Sequence, residues 1–191
     1  MVNSTLLSDI QQLEDAVTFY CQGKSQYFVE KRSFNFTSLT NVYNSIRLLP
    51  LDSEKIALME RFHQNIFKQM VAFHPKLYLS INFTNEINIY KPLLEQLHEL
   101  KTQASELFEH YFDEKPRFDW QGMHQLRAQI HNLTNTSDKT QLMQLFEHGL
   151  LATISQIEPK AYSALTFQSE LVAAEELPIL DDQSMATRHI R

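Results

Sequence analysis

Three glycines, Gly23, Gly122 and Gly149, are all that the 191 residues contain. Tight turns and bulges draw on glycine for backbone angles that other residues avoid. A chain this poor in glycine is not built from many β-turns. Loops that cradle phosphate need several glycines close together, so nucleotide-loop chemistry is nearly excluded. Long helices remain, and the spacing of apolar residues agrees with them.

In "LDSEKIALMERFHQNIFKQMVAFHP" the residues Ile56, Met59, His63, Ile66, Met70 and Phe73 recur at steps of three and four. Asp52 or Ser53 can cap this helix, and the residue before Pro75 ends it. Earlier, Leu6, Ile10, Leu13, Val17 and Tyr20 mark a first helix closed by Gly23, and Leu39, Val42, Tyr43, Ile46 and Leu49 a second that stops at Pro50. Residues 24–37 stay ambiguous, with "QYFVE" a possible short strand. At "KLYLSINFTNEINIY" the period changes to two, which predicts a β-hairpin turning at Thr84-Asn85. Helix resumes with Pro92 in its first turn and runs to Phe112. Helices are also predicted along Met123–Leu133, along Leu142–Ile157, and over 160–176.

The expected fold is mostly α: a helical bundle of five to seven helices with a small β-hairpin near 77–90. An N-terminal part (1–113) and a C-terminal part (119–176) meet at "DEKPRFDWQG", and 178–191 is expected to be a flexible tail. The sequence is read as free of internal repeats. Five Asn-x-Ser/Thr triplets, at Asn3, Asn35, Asn82, Asn132 and Asn135, are read as loop and cap residues.

Composition narrows the function classes. Net charge is −6, which disfavours binding to nucleic-acid phosphates, since that takes a basic face. No apolar run approaches the ~20 residues of a membrane span. Asp9, Glu14 and Asp15 make the first twenty residues unlike a signal peptide. The single cysteine, Cys21, cannot form an internal disulfide and fits a reducing, cytoplasmic setting.

Chemistry-bearing patterns are few. Glu60-x-x-His63 and Glu95-x-x-His98 repeat the ligand spacing of carboxylate-bridged metal sites in helical bundles. A wheel at 100° per residue puts Glu95 and His98 on the polar back of their helix, so the spacing is read as coincidental, with no metal and no cofactor. Cys21 falls in the last turn of its helix, where the dipole disfavours a thiolate. His124 and His131 lie about 10.5 Å apart along one axis, too far to share an ion. His63 is read as a core residue, with a titrating or catalytic role as the alternative. Leu58, Phe62 and Phe67 lie outside the main seam of their helix. That helix is therefore either central to the fold or in contact with a partner. These three residues, with the lone Trp120, are the possible partner-binding set.

A small, acidic, glycine-poor helical chain with "SELVAAEELPILDD" ahead of a short polar end resembles the chaperones and adaptors of bacterial type IV secretion systems. Its glutamate-rich end is similar to the C-terminal signals of their effectors. The resemblance implies a non-enzymatic protein–protein interaction module, an adaptor or chaperone in a secretion or virulence complex holding a peptide or helix of another protein. A secreted effector, or a small helical enzyme with a site around His63, is the alternative.

Overall fold

The computed structural model describes residues 4–24, 33–110, 117–134 and 136–175. Every regular element among them is helical: α1 (Ser4–Lys24), α2 (Phe36–Arg47), α3 (Ser53–Phe62), α4 (Lys68–Phe73), α5 (Thr84–Glu109), α6 (Trp120–His131), α7 (Thr136–Leu145), α8 (Ala152–Ile157), α9 (Pro159–Leu165) and α10 (Gln168–Glu175). A π-turn at His63–Phe67 fuses α3 to α4, and another at Phe146–Leu151 fuses α7 to α8. Eight continuous helices result, rather than five to seven. The predicted hairpin is not formed. Pro75–Leu79 is a 3-10 turn, and α5 already starts at Thr84, with Pro92 inside it. The local reason is Asn82, whose Oδ1 accepts from the Thr84 amide (2.8 Å) and hydroxyl (2.6 Å) and so starts a helix where alternation suggested a turn. The "QYFVE" strand and the 178–191 tail fall outside the described residues.

The chain forms two compact units, Met1–His98 and Glu99–Arg191, so the division falls within α5 and not at "DEKPRFDWQG". Unit 1 is built around the α3–π–α4 rod. Ile56, Met59, Ile66 and Met70 are buried as the apolar spacing predicts, and so are Leu58, Phe62 and Phe67. The rod thus buries two faces, already within α3, where Ile56, Leu58, Met59 and Phe62 are all buried.

Unit 2 repeats unit 1 with every residue number raised by 84. Helix α2 maps onto α6 and α4 onto α8 with matching bounds, the Pro75 turn maps onto the start of α9 at Pro159, and the start of α5 maps onto the start of α10. Position by position the cores correspond: Leu39/Met123, Val42/Leu126, Ile46/Ile130, Leu58/Leu142, Met59/Met143, Phe62/Phe146, Ile66/Leu150, Phe67/Leu151, Met70/Ile154, Ile81/Leu165 and Phe83/Phe167, all buried. The reading of the sequence as free of repeats is therefore corrected.

Non-core contacts recur as well. Asn35 Oδ1 accepts from the Thr37 and Ser38 amides at the head of α2, and Asp119 Oδ1 from the Gly122 amide at the head of α6. Each cap is flanked by two aromatic rings packed edge to face, Phe34 on Phe36 (5.1 Å) and Phe118 on Trp120 (4.8 Å). At the other end of the same helix, Lys55 Nζ donates to the Arg47 carbonyl, and Lys139 Nζ donates to that of His131. The correspondence reaches α5 only in part: Leu6, Leu13 and Tyr20 of α1 match buried Tyr90, Leu97 and Ala104, whereas buried Val17 matches exposed Lys101. The first part of α5 belongs to unit 1 as α10 belongs to unit 2.

Candidate interaction surfaces

The rods that make the core leave large apolar side chains outside at one end of unit 1. Tyr20, Phe34, Phe36 and His74 meet ring to ring, with centroids 5.1–5.8 Å apart, where α1 nears its end, α2 begins and α4 ends. The Tyr20 hydroxyl and His74 Nε2 share a 2.8 Å hydrogen bond that ties two of these elements together. In the same unit Phe19 is 59% exposed, Tyr78, which packs on Phe67 at 6.0 Å, 54% and Leu79 89%, while Phe36 and Phe73 are each about 40% exposed. Phe19 and Phe73 are chain neighbours of Tyr20 and His74, and Tyr78 and Leu79 come within the next turns. Leaving this much aromatic and aliphatic surface in water is unfavourable at roughly 25 cal/mol per Å², which makes these side chains candidates for contact with a partner. At the matching places unit 2 has Gln103, Trp120, Ile157, Tyr162 and Ser163. There Gln103 Oε1 accepts from the Asp119 amide, so the counterpart of exposed Phe19 serves the helix cap.

A groove of about 390 Å³ runs between α1 and α2 of unit 1, where Asp9, Gln12, Leu13 and Ala16 face Asn35, Ser38, Val42 and Ser45. Its lining mixes polar and apolar groups, and Asp9 supplies a carboxylate.

The possible partner-binding residues divide. Leu58, Phe62 and Phe67 are 5%, 0% and 5% exposed and belong to the core of unit 1, so they do not offer side chains to a partner. The off-seam positions marked a central helix. Trp120 is 39% exposed, packed on Phe118, and keeps a face for contact. The exposed residues that sequence reasoning passed over are Phe36, Tyr78 and Leu79. Phe19 carried a signal as an apolar residue off the α1 seam. Tyr78 and Leu79 were hidden by the hairpin reading, which gave them a sheet to sit in.

The groups that suggested chemistry are occupied or scattered. Glu60 Oε1 pairs with Lys91 Nζ at 2.7 Å, while Glu95 and His98 are exposed on α5. Among the described residues no three His, Cys, Asp or Glu side chains converge to hold a metal ion. Cys21 is half-buried with its Sγ 3.9 Å from the Gln69 carbonyl. His63 is half-buried on the π-turn and stacked on Phe67 at 5.2 Å, and its Nδ1 is buried with no hydrogen-bond partner among the described residues. Burial, and then the positive charge of Lys68, hold its pKa below the usual histidine value, so it is neutral at pH 7.

The strongest charged network joins α1 to the rod. Arg61 donates to both Glu14 oxygens (2.8 and 2.6 Å) and to Gln11, and Asn65 adds a 2.9 Å bond to Glu14. The Arg61 bond outweighs burial and, with Asn65, lowers the Glu14 pKa. These groups tie α1 to the rod.

No helix among the described residues is long and apolar enough to cross a membrane. No protein family, curated protein or solved structure matches the chain.

Proposed function

We propose that this chain is a non-enzymatic protein-interaction module, an adaptor or chaperone built from two tandem helical repeats. The observation that carries the reading is the exposed apolar end of unit 1, formed by Phe19, Phe36, Phe73, Tyr78 and Leu79. Helical repeats commonly act as scaffolds in this way, with a repeated core for stability and surface variation for partner choice. Unit 2 keeps the core and puts polar residues at two of the five patch positions, Gln103 for Phe19 and Ser163 for Leu79, and these two are where a partner surface peculiar to unit 1 is proposed. The partner is a peptide or helix of another protein. The setting proposed for it is the cytoplasm of a bacterium, in a secretion or virulence complex, on the strength of the glutamate-rich stretch "SELVAAEELPILDD".

The test is affinity capture from native lysate with Phe19→Ser and Leu79→Ser introduced together. Both side chains are mostly in water, so the melting temperature is expected to stay within a few degrees while the captured partner is lost. Retention of the same partner by a folded double variant would overturn the assignment of the surface.

A further inference from the structure

One carboxylate of unit 1 stands on a groove with nothing to neutralise it. Residues 1–23 contain Asp9, Glu14 and Asp15 but no Lys or Arg, and the only charged residue of α2 is Arg47, its last. Glu14 is held by Arg61, and Asp15 accepts from Gln11. Asp9 has no hydrogen bond or ion pair among the described residues, and it lines the groove of about 390 Å³ between α1 and α2.

The register of the two helices orders that lining. Tyr20, one turn beyond Ala16, meets the Phe34 ring just ahead of α2 at 5.4 Å. The helices therefore run antiparallel, with Ala16 beside the head of α2 and Asp9 toward Ser45. Asp9 and Ala16 are separated by about 10.5 Å along the axis of α1. Between them the floor is apolar, since Leu13 and Val42 are both buried. The groove is thus elongated, with a carboxylate at one end and the Phe34 ring and Ser38 hydroxyl at the other. At the offset of the repeat, Asp9 becomes Leu93 and Ala16 becomes Leu100, both buried, and Ser38 becomes Gly122. The repeated packing does not demand the carboxylate, the small residue or the hydroxyl.

We infer that this groove holds an arginine side chain of the partner, with its guanidinium on the Asp9 carboxylate and its methylene stem along Leu13 and Val42. Charge complementarity calls for a cation, because the lining has one carboxylate and no base. The planar guanidinium matches a carboxylate with two parallel hydrogen bonds, and it is more weakly hydrated than an ammonium, so it loses less on entering a partly apolar groove. The length leaves room for the backbone that carries the stem, toward Phe34. Phe34 also belongs to the ring cluster with Tyr20 and Phe36, so one peptide can reach both. This rests on the interaction-module reading and names a side chain that the partner presents.

The experiment titrates full-length, nitrogen-15-labelled protein with N-acetyl-arginine methylamide and follows the backbone amide resonances. The neutral isostere N-acetyl-citrulline methylamide and the apolar N-acetyl-leucine methylamide serve as controls. Saturable shifts are expected along α1 and α2 around Asp9 and Ser38, with the citrulline and leucine probes weaker by at least about fivefold, the loss of a charge-assisted contact. Asp9→Asn is expected to bring the arginine probe down to the citrulline level. Ala16→Leu, which installs the residue of the matching position, is expected to abolish saturable binding. Asp9 and Ala16 are exposed, so both variants are expected to fold, as a melting curve will show. Should Asp9→Asn lose helicity, Asp9→Ser takes its place. Equal binding of the three probes, no saturable binding of the arginine probe, or unchanged binding by a folded Asp9 variant would overturn the inference. The probe needs no partner protein, so the two readings fail separately. Arginine discrimination without capture of a partner would fault the wider reading alone, and capture without discrimination would fault the inference alone.

Discussion

Unit 1 and unit 2 repeat each other at their centres and part company at their edges. At the centre the slot Phe62–Phe83 becomes Phe146–Phe167 with unchanged ring geometry. At one edge, Arg61 and Asn65, which bind Glu14 from the rod of unit 1, become Leu145 and Gly149. At another, the half-buried His63 becomes Glu147, 6% exposed and bonded to two groups of the segment before α10. The difference shows which contacts the repeat needs. Those that set helix starts, helix ends and ring packing persist, while those that tie neighbouring helices by charge were exchanged for other means. Polar ties are tolerant of replacement because their net contribution is small, about 0.5–1.5 kcal/mol each, while a large core ring contributes several times that.

The comparison can be broken most forcefully at the slot. Phe62→Ala and Phe146→Ala are each expected to cost about 3–5 kcal/mol, the usual range for a buried ring. Trp120, the only tryptophan, lies in unit 2, so its fluorescence reports on that unit while far-ultraviolet circular dichroism reports on both. A loss under 1 kcal/mol at one of the two positions would mean the slots are not equivalent.

A second contrast lies at the paired π-turn positions. Glu147→Leu strands the Phe167 amide and the Thr166 hydroxyl, so urea unfolding is expected to register about 2–3 kcal/mol of destabilisation, read by Trp120 fluorescence. His63→Leu removes a side chain whose Nδ1 has no partner among the described residues and is expected to change stability by less than about 1 kcal/mol, or to increase it. Partner capture is expected to survive it. A folded His63→Leu protein without function would move the assignment to catalysis.

The Glu14 network sharpens the difference through pH. Its carboxyl pKa is lowered by the Arg61 bond, so in the unfolded chain Glu14 binds its proton at higher pH than in the fold. The stabilisation is complete above the unfolded value near 4.5 and is lost as pH falls through the folded value. Glu14→Gln is therefore expected to cost about 1–2 kcal/mol at pH 7, allowing for the partial exposure of Arg61, with the gap narrowing once pH falls below 4.5. A gap that stays constant down to pH 3 would rule out the ion pair as its source.

The smallest effect is at the glycines. An added Cβ at Gly149 would meet nothing nearer than the Lys101 side chain at 3.9 Å, so Gly149→Ala is expected to stabilise by about 0.5–1 kcal/mol in a melting curve. At Gly122 a Cβ would run into the Asp119 carboxylate that caps α6, so Gly122→Ala is expected to disturb that cap and to destabilise.

Much of the fold was legible in the sequence, and the reasons differ by element. Helices α1, α2 and the two rods announce themselves through apolar spacing, and the Asn35, Asn82 and Asn132 triplets do sit at helix caps. The hairpin reading failed because Leu77, Leu79, Ile81 and Phe83 alternate for unrelated reasons: Ile81 and Phe83 are buried in the core, whereas Leu79 is almost fully in water. His63 was placed in the seam by a wheel of constant pitch, and a π-turn begins at that residue. The repeat escaped notice because only thirteen of the 58 residues from 33 to 90 match their counterparts, and they are spread thinly. The short echoes were present nonetheless, all at the same offset: "LMERF" and "LMQLF", "PKLY" and "PKAY", "FTNE" and "FQSE". Of the interaction surface, the sequence exposed Trp120 and hinted at Phe19. The rest depended on knowing that 75–79 is a turn on the outside of a helical unit.

The repeat itself is tested most directly by paired double-mutant cycles, Phe62→Leu with Phe83→Leu in one and Phe146→Leu with Phe167→Leu in the other, each measured by denaturant unfolding. Two copies of one slot should give coupling energies of the same sign and close to each other, about 0.5–1.5 kcal/mol apiece for an edge-to-face pair. Coupling in one unit and none in the other would contradict the equivalence of the two halves.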